Sequence, residues 1–277
     1  MSKQIPLAGV IGNPVGHSKS PRMHGHWLES QNLPGHYVPL EVDAQDLPDV
    51  LAAMPRMGFV GTNVTIPHKE AALAGARRVT PRARAIGAAN TLTFLPGGGY
   101  EADNTDGYGF YANLAQSAQD WAASDGPVAL FGAGGAARAI LHAMLEAGAP
   151  EIRLMNRTRA RAESLAAAFG PRVRVLDWGE TGPALAGAAT VVNTTSLGMA
   201  GQPAFDLDLS GIRPEMLATD IVYTPLETPF LQAAARRGAR IVDGLGMLLW
   251  QGVPGFNRWF GGDAQVTPEL RELMLAP

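Results

Sequence analysis

Short apolar runs alternate with amphipathic stretches along almost the whole chain. Ile5–Ile11, His36–Val42 and Gly58–Val64 read as strands, while the stretch from Ser20 through His24, Trp27 and Leu28, and that from Gln45 to Ala53, read as helices. Ala88–Phe94 and Tyr100–Ala102 flank a glycine turn at Gly97–Gly99, which predicts a hairpin and hence one antiparallel piece in an otherwise parallel sheet. A helix is expected over Tyr108–Ala118 and a loop over Ala122–Pro127. The alternation then resumes, with strands predicted at Val128–Phe131, Ile152–Met155, Val173–Val175, Thr190–Asn193, Ala218–Ile221 and Arg240–Val242. Asp243-Gly244-Leu-Gly246 reads as a glycine turn opening a further helix that holds Trp250 and Gln251. Strand–helix alternation of this kind predicts an α/β fold with parallel sheets and function at the carboxyl ends of the strands.

One stretch organises the second half. The apolar run Val128-Ala-Leu-Phe131 ends in Gly132-Ala133-Gly134-Gly135-Ala136-Ala137 and continues as Ala139-Ile-Leu-His-Ala-Met-Leu145. Strand, glycine turn and helix give the context that a G-x-G-x-x-G/A dinucleotide fingerprint requires. Gly132 allows the tight turn, Gly134 lets the backbone approach a pyrophosphate, and Ala137 is small enough for close helix–strand packing. The helix start supplies free N–H groups and the positive dipole end. We therefore expect two domains. Residues 1–106 with 248–277 would form a mostly parallel α/β substrate domain, and residues 107–247 a Rossmann-like, doubly wound nucleotide domain. The helical crossings near Tyr108–Ala118 and Gly246–Gly255 predict a hinged cleft.

The end of the second strand of that half decides between the two nicotinamide cofactors. A preference for NAD usually goes with Asp or Glu there, holding the ribose 2′-hydroxyl. Asn156-Arg157-Thr158-Arg159-Ala160-Arg161 stands there instead. Guanidinium groups grip a 2′-phosphate that a carboxylate would repel, so NADP is the expected cofactor.

Composition narrows the partners. The 277 residues suffice for two domains of ordinary size. A net charge of −3 gives no basic footprint for nucleic acid or acidic membrane. The chain has no cysteine, which excludes disulfides and thiol chemistry and fits a cytoplasmic location. The start of the sequence does not read as a signal peptide, and no apolar run approaches the length of a membrane span. The histidines lack metal-site spacing: His24 and His26 do not share a helix face, so no metal is expected.

Several residues of the first half are candidates for chemistry. Ser20-Pro21 reads as a helix start with serine at N-cap and proline at N1, and Ser18 beside it completes a plausible anion seat. Asn63, Thr65 and Lys69 sit where a strand turns into a helix, and Asp106 precedes a helix. On the residues alone each has an ordinary reading too: Ser20 and Asp106 as caps, Lys69 and Gln251 as surface groups.

Taken together, the segments resemble the shikimate dehydrogenase family. The likeness lies in Gly12-Asn-Pro-Val-Gly-His-Ser18-Lys-Ser20-Pro21, Asn63-Val-Thr65-Ile-Pro-His-Lys69, Gly87-Ala-Ala-Asn90-Thr, Asn104-Thr-Asp106-Gly, the glycine turn, Asn156-Arg-Thr158, Asp220-Ile-Val-Tyr223-Thr-Pro and Asp243-Gly-Leu-Gly-Met247. It implies reversible NADPH-dependent reduction of 3-dehydroshikimate to shikimate, toward aromatic amino acids. It also implies Ser18 and Ser20 at the substrate carboxylate, and Asn63, Thr65, Lys69, Asn90, Asp106, Tyr223 and Gln251 around the ring. Lys69 is the acid/base group of the family, with Asp106 beside it. The resemblance further implies Gly132, Ala133, Gly134, Gly135 and Ala136 at the pyrophosphate and Asn156, Arg157, Thr158 and Arg161 at the 2′-phosphate. Ile221, Gly244 and Met247, together with Tyr223, would lie in the nicotinamide region. Gly25, where the family commonly has asparagine, and Trp250, where a smaller residue is usual, depart from the pattern and bear on selectivity. A quinate/shikimate dehydrogenase with relaxed NAD/NADP use and a non-catalytic NADPH-binding regulator are the alternative readings, and a homodimer is left open.

Overall fold

Each of two compact units, Met1–Thr105 with Leu249–Pro277 and Asp106–Leu248, holds one six-stranded sheet. The computed structural model describes residues 5–276; the ends of the expected first domain, residues 1–4 and 277, lie outside them. No helix among the described residues is long and apolar enough to cross a membrane.

The first unit begins with β1 (Leu7–Gly12), α1 (Ser20–Ser30), β2 (His36–Glu41), α2 (Leu47–Ala53), β3 (Gly61–Val64) and α3 (Lys69–Ala74). It continues through β4 (Arg78–Val79), α4 (Pro81–Ile86), β5 (Thr91–Phe94) and β6 (Tyr100–Asp103). The strand order is β2-β1-β3-β5-β6-β4. β1 runs parallel to β2 and β3, and β4 parallel to β6, while β5 is antiparallel to both β3 and β6, as the hairpin pattern predicts. The third strand starts at Gly61 rather than Gly58. Gly58 takes φ +94° to end the 3-10 turn Met54–Met57, and Phe59 makes only an isolated bridge to Leu7.

The helix start at Ser20 differs from the sequence reading. Lys19 precedes the helix, Ser20 is its first residue and Pro21 its second. No side-chain cap bond closes the helix start; inside the preceding turn Ser18 Oγ accepts the Ser20 N–H at 3.3 Å. Because Ser20 is not the cap, its hydroxyl is left for another partner.

The second unit holds α5 (Asp106–Ser117), β7 (Val128–Phe131), α6 (Gly135–Glu146), β8 (Ile152–Met155), α7 (Arg159–Phe169) and β9 (Val173–Leu176). α8 (Thr181–Leu185), β10 (Thr190–Asn193), β11 (Leu217–Asp220), α9 (Pro229–Ala235) and β12 (Arg240–Val242) follow. The chain returns to the first unit within α10 (Leu245–Phe260) and ends in α11 (Pro268–Leu275). All neighbours pair in parallel, in the order β12-β11-β10-β7-β8-β9. Renumbered from β7, this is the doubly wound order 3-2-1-4-5-6, with its switch point between β7 and β10. Val128 and Leu130 pack against α5 and α6, while Ala129 and Phe131 pack against Leu185, Phe230 and Leu231 on the other face. Burial on both faces explains why these strands read as unbroken apolar runs. β11 lies one residue earlier than expected, because its pairing ends with Asp220 opposite Asn193; the Ile221 N–H still reaches the Asn193 carbonyl at 3.1 Å.

Glycine in β3 reflects a close approach. A Cβ on Gly61 would lie 1.9 Å from Trp259 Nε1 and 2.5 Å from the Leu92 carbonyl, and the indole donates to that same carbonyl at 3.1 Å. Gly61→Ala must therefore push aside the Trp259 indole and crowd the Leu92 carbonyl. Overpacking of this kind costs about 1–3 kcal/mol, so thermal or urea unfolding should show a loss of that size. Unchanged stability would mean that the indole moves away freely.

Candidate functional site

In the first unit the polar candidates gather where β1, β3 and α3 meet. Thr65 follows β3, its N–H bonded to the Ile11 carbonyl at 2.8 Å, and its methyl fills the space a Cβ on Gly12 would need. Buried His68 fixes the next turn by donating from Nε2 to the Val42 carbonyl at 2.8 Å, so Nε2 carries the proton. Lys69 then opens α3, half-buried, with its carbonyl taking the Ala89 N–H at 2.9 Å.

Four of the nominated residues share one hydrogen-bond chain. Asn63 Nδ2 donates to the Asn90 carbonyl at 3.0 Å and to Thr91 Oγ1 at 3.2 Å. The Tyr37 hydroxyl donates to Asn63 Oδ1 at 2.7 Å and is also bonded to the Ser20 side chain. Asn90 Oδ1 accepts the Thr105 N–H at 2.8 Å, and Asn90 Nδ2 reaches Gln251 Oε1 at 3.4 Å. Ser18 lies on the adjoining turn, its N–H on the Val15 carbonyl at 2.9 Å. The next residue after Thr105 is Asp106, the buried first residue of α5 in the second unit.

Tyr37 was not singled out by the sequence, where it reads as one more residue of the strand His36–Val42. Its ring stacks on His24 with centroids 3.9 Å apart and planes 5° apart. His24 is fully buried among Trp27, Phe256 and Trp259, and neither ring nitrogen has a hydrogen-bond partner. Burial alone pulls its pKa down to about 3, so the ring is neutral. Gly25, next along α1, faces open space, so a side chain there would fit without a clash.

In the second unit the glycine turn follows β7. Gly132 adopts φ +109°, and a Cβ on it would meet Thr194 Oγ1 at 2.5 Å. Gly134 and Gly135 are exposed, and a Cβ on either would meet nothing within 4 Å. α6 starts without a side-chain cap, leaving its first N–H groups, among them those of Gly135 and Ala136, directed out of the helix end. The Ala133 N–H is held by Asn156 Oδ1 at 3.1 Å, and Asn156 Nδ2 bonds the Thr158 carbonyl at 2.8 Å. This ties the glycine turn to the end of β8. Arg159 is engaged by Glu163 and Asp177, whereas exposed Arg157 and Arg161 have no ion pair among the described residues. The turn, the open helix end and two uncommitted guanidinium groups fit a dinucleotide carrying a 2′-phosphate.

The far side of the switch point adds a buried carboxylate. Both oxygens of Asp220 lie 3.1 Å from Asn193 Nδ2, and the group also accepts the Val222 N–H at 2.9 Å and the Thr228 hydroxyl at 2.7 Å. Burial pushes its pKa up to about 6 against the pull of these donors. Asp220 thereby fixes the segment bearing Ile221 and Tyr223. Gly244 packs so closely here that a Cβ would lie 2.5 Å from the Ile221 carbonyl carbon; Met247 is buried in the adjoining core.

A doubly wound sheet with a glycine turn at its switch point, joined in one chain to a second α/β unit bearing a polar cluster, defines a dinucleotide-binding protein with a separate small-molecule domain. Residues 10–92 match the shikimate dehydrogenase substrate binding domain and residues 113–199 the shikimate / quinate 5-dehydrogenase model. The chain is 58% identical over 274 residues to the shikimate dehydrogenase (NADP(+)) of Paracoccus denitrificans (strain Pd 1222), covering 99% of this chain and 97% of that one. Among solved structures it resembles shikimate 5-dehydrogenase from Thermus thermophilus in complex with NADP(H) and shikimate, with TM-score 0.85 and 38% identity over 97% of this chain and 98% of the other. It also resembles quinate dehydrogenase from Corynebacterium glutamicum in complex with NAD, with TM-score 0.88 and 29% identity over 97% and 98% of the two chains. The chain belongs to the shikimate dehydrogenase family of oxidoreductases.

The His24 environment carries a pH signature. With a folded-state pKa near 3 and an ordinary value of 6.5, only the unfolded chain takes up this proton between those limits. Stability should therefore fall as pH drops below 6.5, by up to about 1.4 kcal/mol per pH unit from this group. His24→Phe should flatten that part of the slope in urea unfolding measured from pH 7 to about 4.5. Equal slopes for the two proteins would mean that the imidazole finds a partner for its proton.

Proposed function

We propose that this chain catalyses the reversible reduction of 3-dehydroshikimate to shikimate with NADPH, a cytoplasmic step toward the aromatic amino acids. The observation that carries the reading is the grouping of Ser20, Asn63, Asn90 and Gln251 in one hydrogen-bond chain, with Ser18, Thr65 and Lys69 on adjoining turns. Hydroxyl and amide groups of this kind suit a small ring bearing a carboxylate and several hydroxyls. The names of the relatives, at 58% identity for the Paracoccus enzyme, support the same substrate.

In this reading Ser18 and Ser20 hold the carboxylate, and Asn63, Thr65, Asn90, Tyr223 and Gln251 contact the ring and its hydroxyls. Reduction adds a hydride at the carbonyl carbon, which NADPH supplies when bound, and a proton at the oxygen. Lys69 donates that proton as an ammonium group, and Asp106 is the carboxylate that works with it in this reading. In the reverse direction the neutral amine takes the proton from the hydroxyl. Gly132, Ala133, Gly134, Gly135 and Ala136 hold the pyrophosphate. Asn156, Arg157, Thr158 and Arg161 hold the 2′-phosphate side, and Ile221, Gly244 and Met247 border the nicotinamide. NADP is favoured over NAD because Asn156, rather than a carboxylate, follows β8, with Arg157 and Arg161 uncommitted beside it.

Steady-state kinetics of Lys69→Ala test the chemistry. General acid–base catalysis is worth about 10²–10⁴-fold, so kcat should fall in that range with little change in KM and an intact circular dichroism spectrum. Ser18→Ala should raise the substrate KM and leave kcat nearly unchanged, because a carboxylate contact is equal in ground and transition states. A folded Lys69→Ala protein that keeps most of its kcat removes Lys69 from the mechanism.

Arg157→Ala tests the cofactor reading. Loss of a charge-assisted contact costs roughly 1.5–3 kcal/mol, so NADPH should bind about ten- to a hundredfold more weakly while NADH binding is unchanged. Equal weakening of both cofactors would show that Arg157 does not read the 2′-phosphate.

A further inference from the structure

Two main-chain groups set the direction of the hydrogen-bond chain in the first unit. The Asn90 carbonyl can only accept, so the group of Asn63 facing it at 3.0 Å is the Nδ2 amide. The Thr105 N–H can only donate, so the group of Asn90 facing it at 2.8 Å is Oδ1. Both amides are thus oriented before any ligand arrives. Asn63 turns Oδ1 to Tyr37, whose hydroxyl must donate its single proton there, at 2.7 Å. The Ser20 hydroxyl, bonded to the same phenol oxygen, is then the donor of that pair and must turn its proton away from the phenol to hold a carboxylate. The second Asn63 amide proton goes to Thr91 Oγ1 at 3.2 Å. Asn63 therefore has no proton left to offer a ligand and can only accept.

We propose that Tyr37 is a positioning residue that sets substrate selectivity: its hydroxyl holds in place the Asn63 Oδ1 acceptor, whose amide protons the Asn90 carbonyl and Thr91 Oγ1 already take, so that the ligand must present a hydroxyl proton there. The proposal rests on the functional reading above and names a determinant within that site. The phenol is well placed to act as a fixed strut. It is 8% exposed, its ring lies flat on His24 at 3.9 Å, and Trp259 tilts against it at 6.4 Å. Without the hydroxyl, Asn63 Nδ2 keeps the Asn90 carbonyl and Thr91 Oγ1, but Oδ1 loses the donor that fixes its position on the other side of the amide.

Tyr37→Phe in the full chain keeps the ring stack and removes only the hydroxyl. The assay is oxidation, with NADP⁺, of shikimate and of analogues each lacking one non-reacting ring hydroxyl. For shikimate, KM should rise about tenfold, the scale of one or two neutral hydrogen bonds, with kcat and the NADP⁺ KM within about twofold. In the wild-type chain one analogue should be handicapped in kcat/KM by about tenfold, and Tyr37→Phe should shrink that handicap. Asn63→Ala, which removes the acceptor itself, should erase the handicap of the same analogue. An active wild-type chain with Tyr37→Phe kinetics unchanged overturns the positioning role alone. So does a variant that lowers the melting temperature and weakens all substrates and NADP⁺ together, or an Asn63→Ala effect on a different analogue. A wild-type chain inactive toward shikimate overturns the functional reading, and this proposal with it.

Discussion

Asn90 is the residue on which the polar end of the first sheet depends. Its main chain bonds β3 through the Val64 N–H at 2.9 Å and β6 through the Asp103 carbonyl at 3.0 Å. Its side chain accepts from the N–H of Thr105 at 2.8 Å and from the hydroxyls of Thr91 and Thr105 at 2.9 and 3.1 Å. Only 4% of its surface is exposed, so each of these groups would be costly to leave unpaired. One buried amide thus joins three strands, and reaches Gln251 of α10 as well. Because backbone groups anchor it, the polarity of the cluster is a property of the fold. Asp103 reinforces the frame from outside, accepting from Arg82 Nε at 2.6 Å, from Thr80 Oγ1 at 2.7 Å and from the Asn104 N–H at 2.8 Å.

The second unit arranges its groups by electrostatics. Asn156 links the glycine turn to the end of β8, so the two segments proposed for the cofactor share one hydrogen-bond junction. Of the three arginines in the run, Arg159 opens α7 where its charge opposes the helix dipole, and Glu163 and Asp177 offset it. Arg157 and Arg161, without such partners among the described residues, are the ones available to an anion. Across the switch point, Asp220 gathers donors from β10, from Val222 and from Thr228, the cap of α9, and so stiffens the segment that follows β11.

How much of this was legible in the sequence follows from how local each signal is. The doubly wound sheet was readable because strands buried on both faces leave unbroken apolar runs, and the hairpin because three glycines mark its turn. β4 escaped, being two residues long and led by exposed Arg78. Ser20 was misread as an N-cap because its partner, Tyr37, arrives from β2, and nothing in the local Ser-Pro pattern reports a contact across the sheet. Tyr37 and Asp220 gave no spacing signal of their own: the first lies in an ordinary strand, and the second acts only through residues brought together by parallel pairing. The nominated groups Ser20, Asn63, Asn90 and Gln251 do fall in one chain of hydrogen bonds, although they come from four separate segments.

The most direct measurement is NADPH oxidation by the purified wild-type chain with 3-dehydroshikimate, repeated with NADH. The account predicts turnover that depends on both enzyme and 3-dehydroshikimate, gives shikimate as product, and has a kcat/KM for NADPH well above that for NADH. No consumption of NADPH in the presence of 3-dehydroshikimate by a folded chain would contradict it.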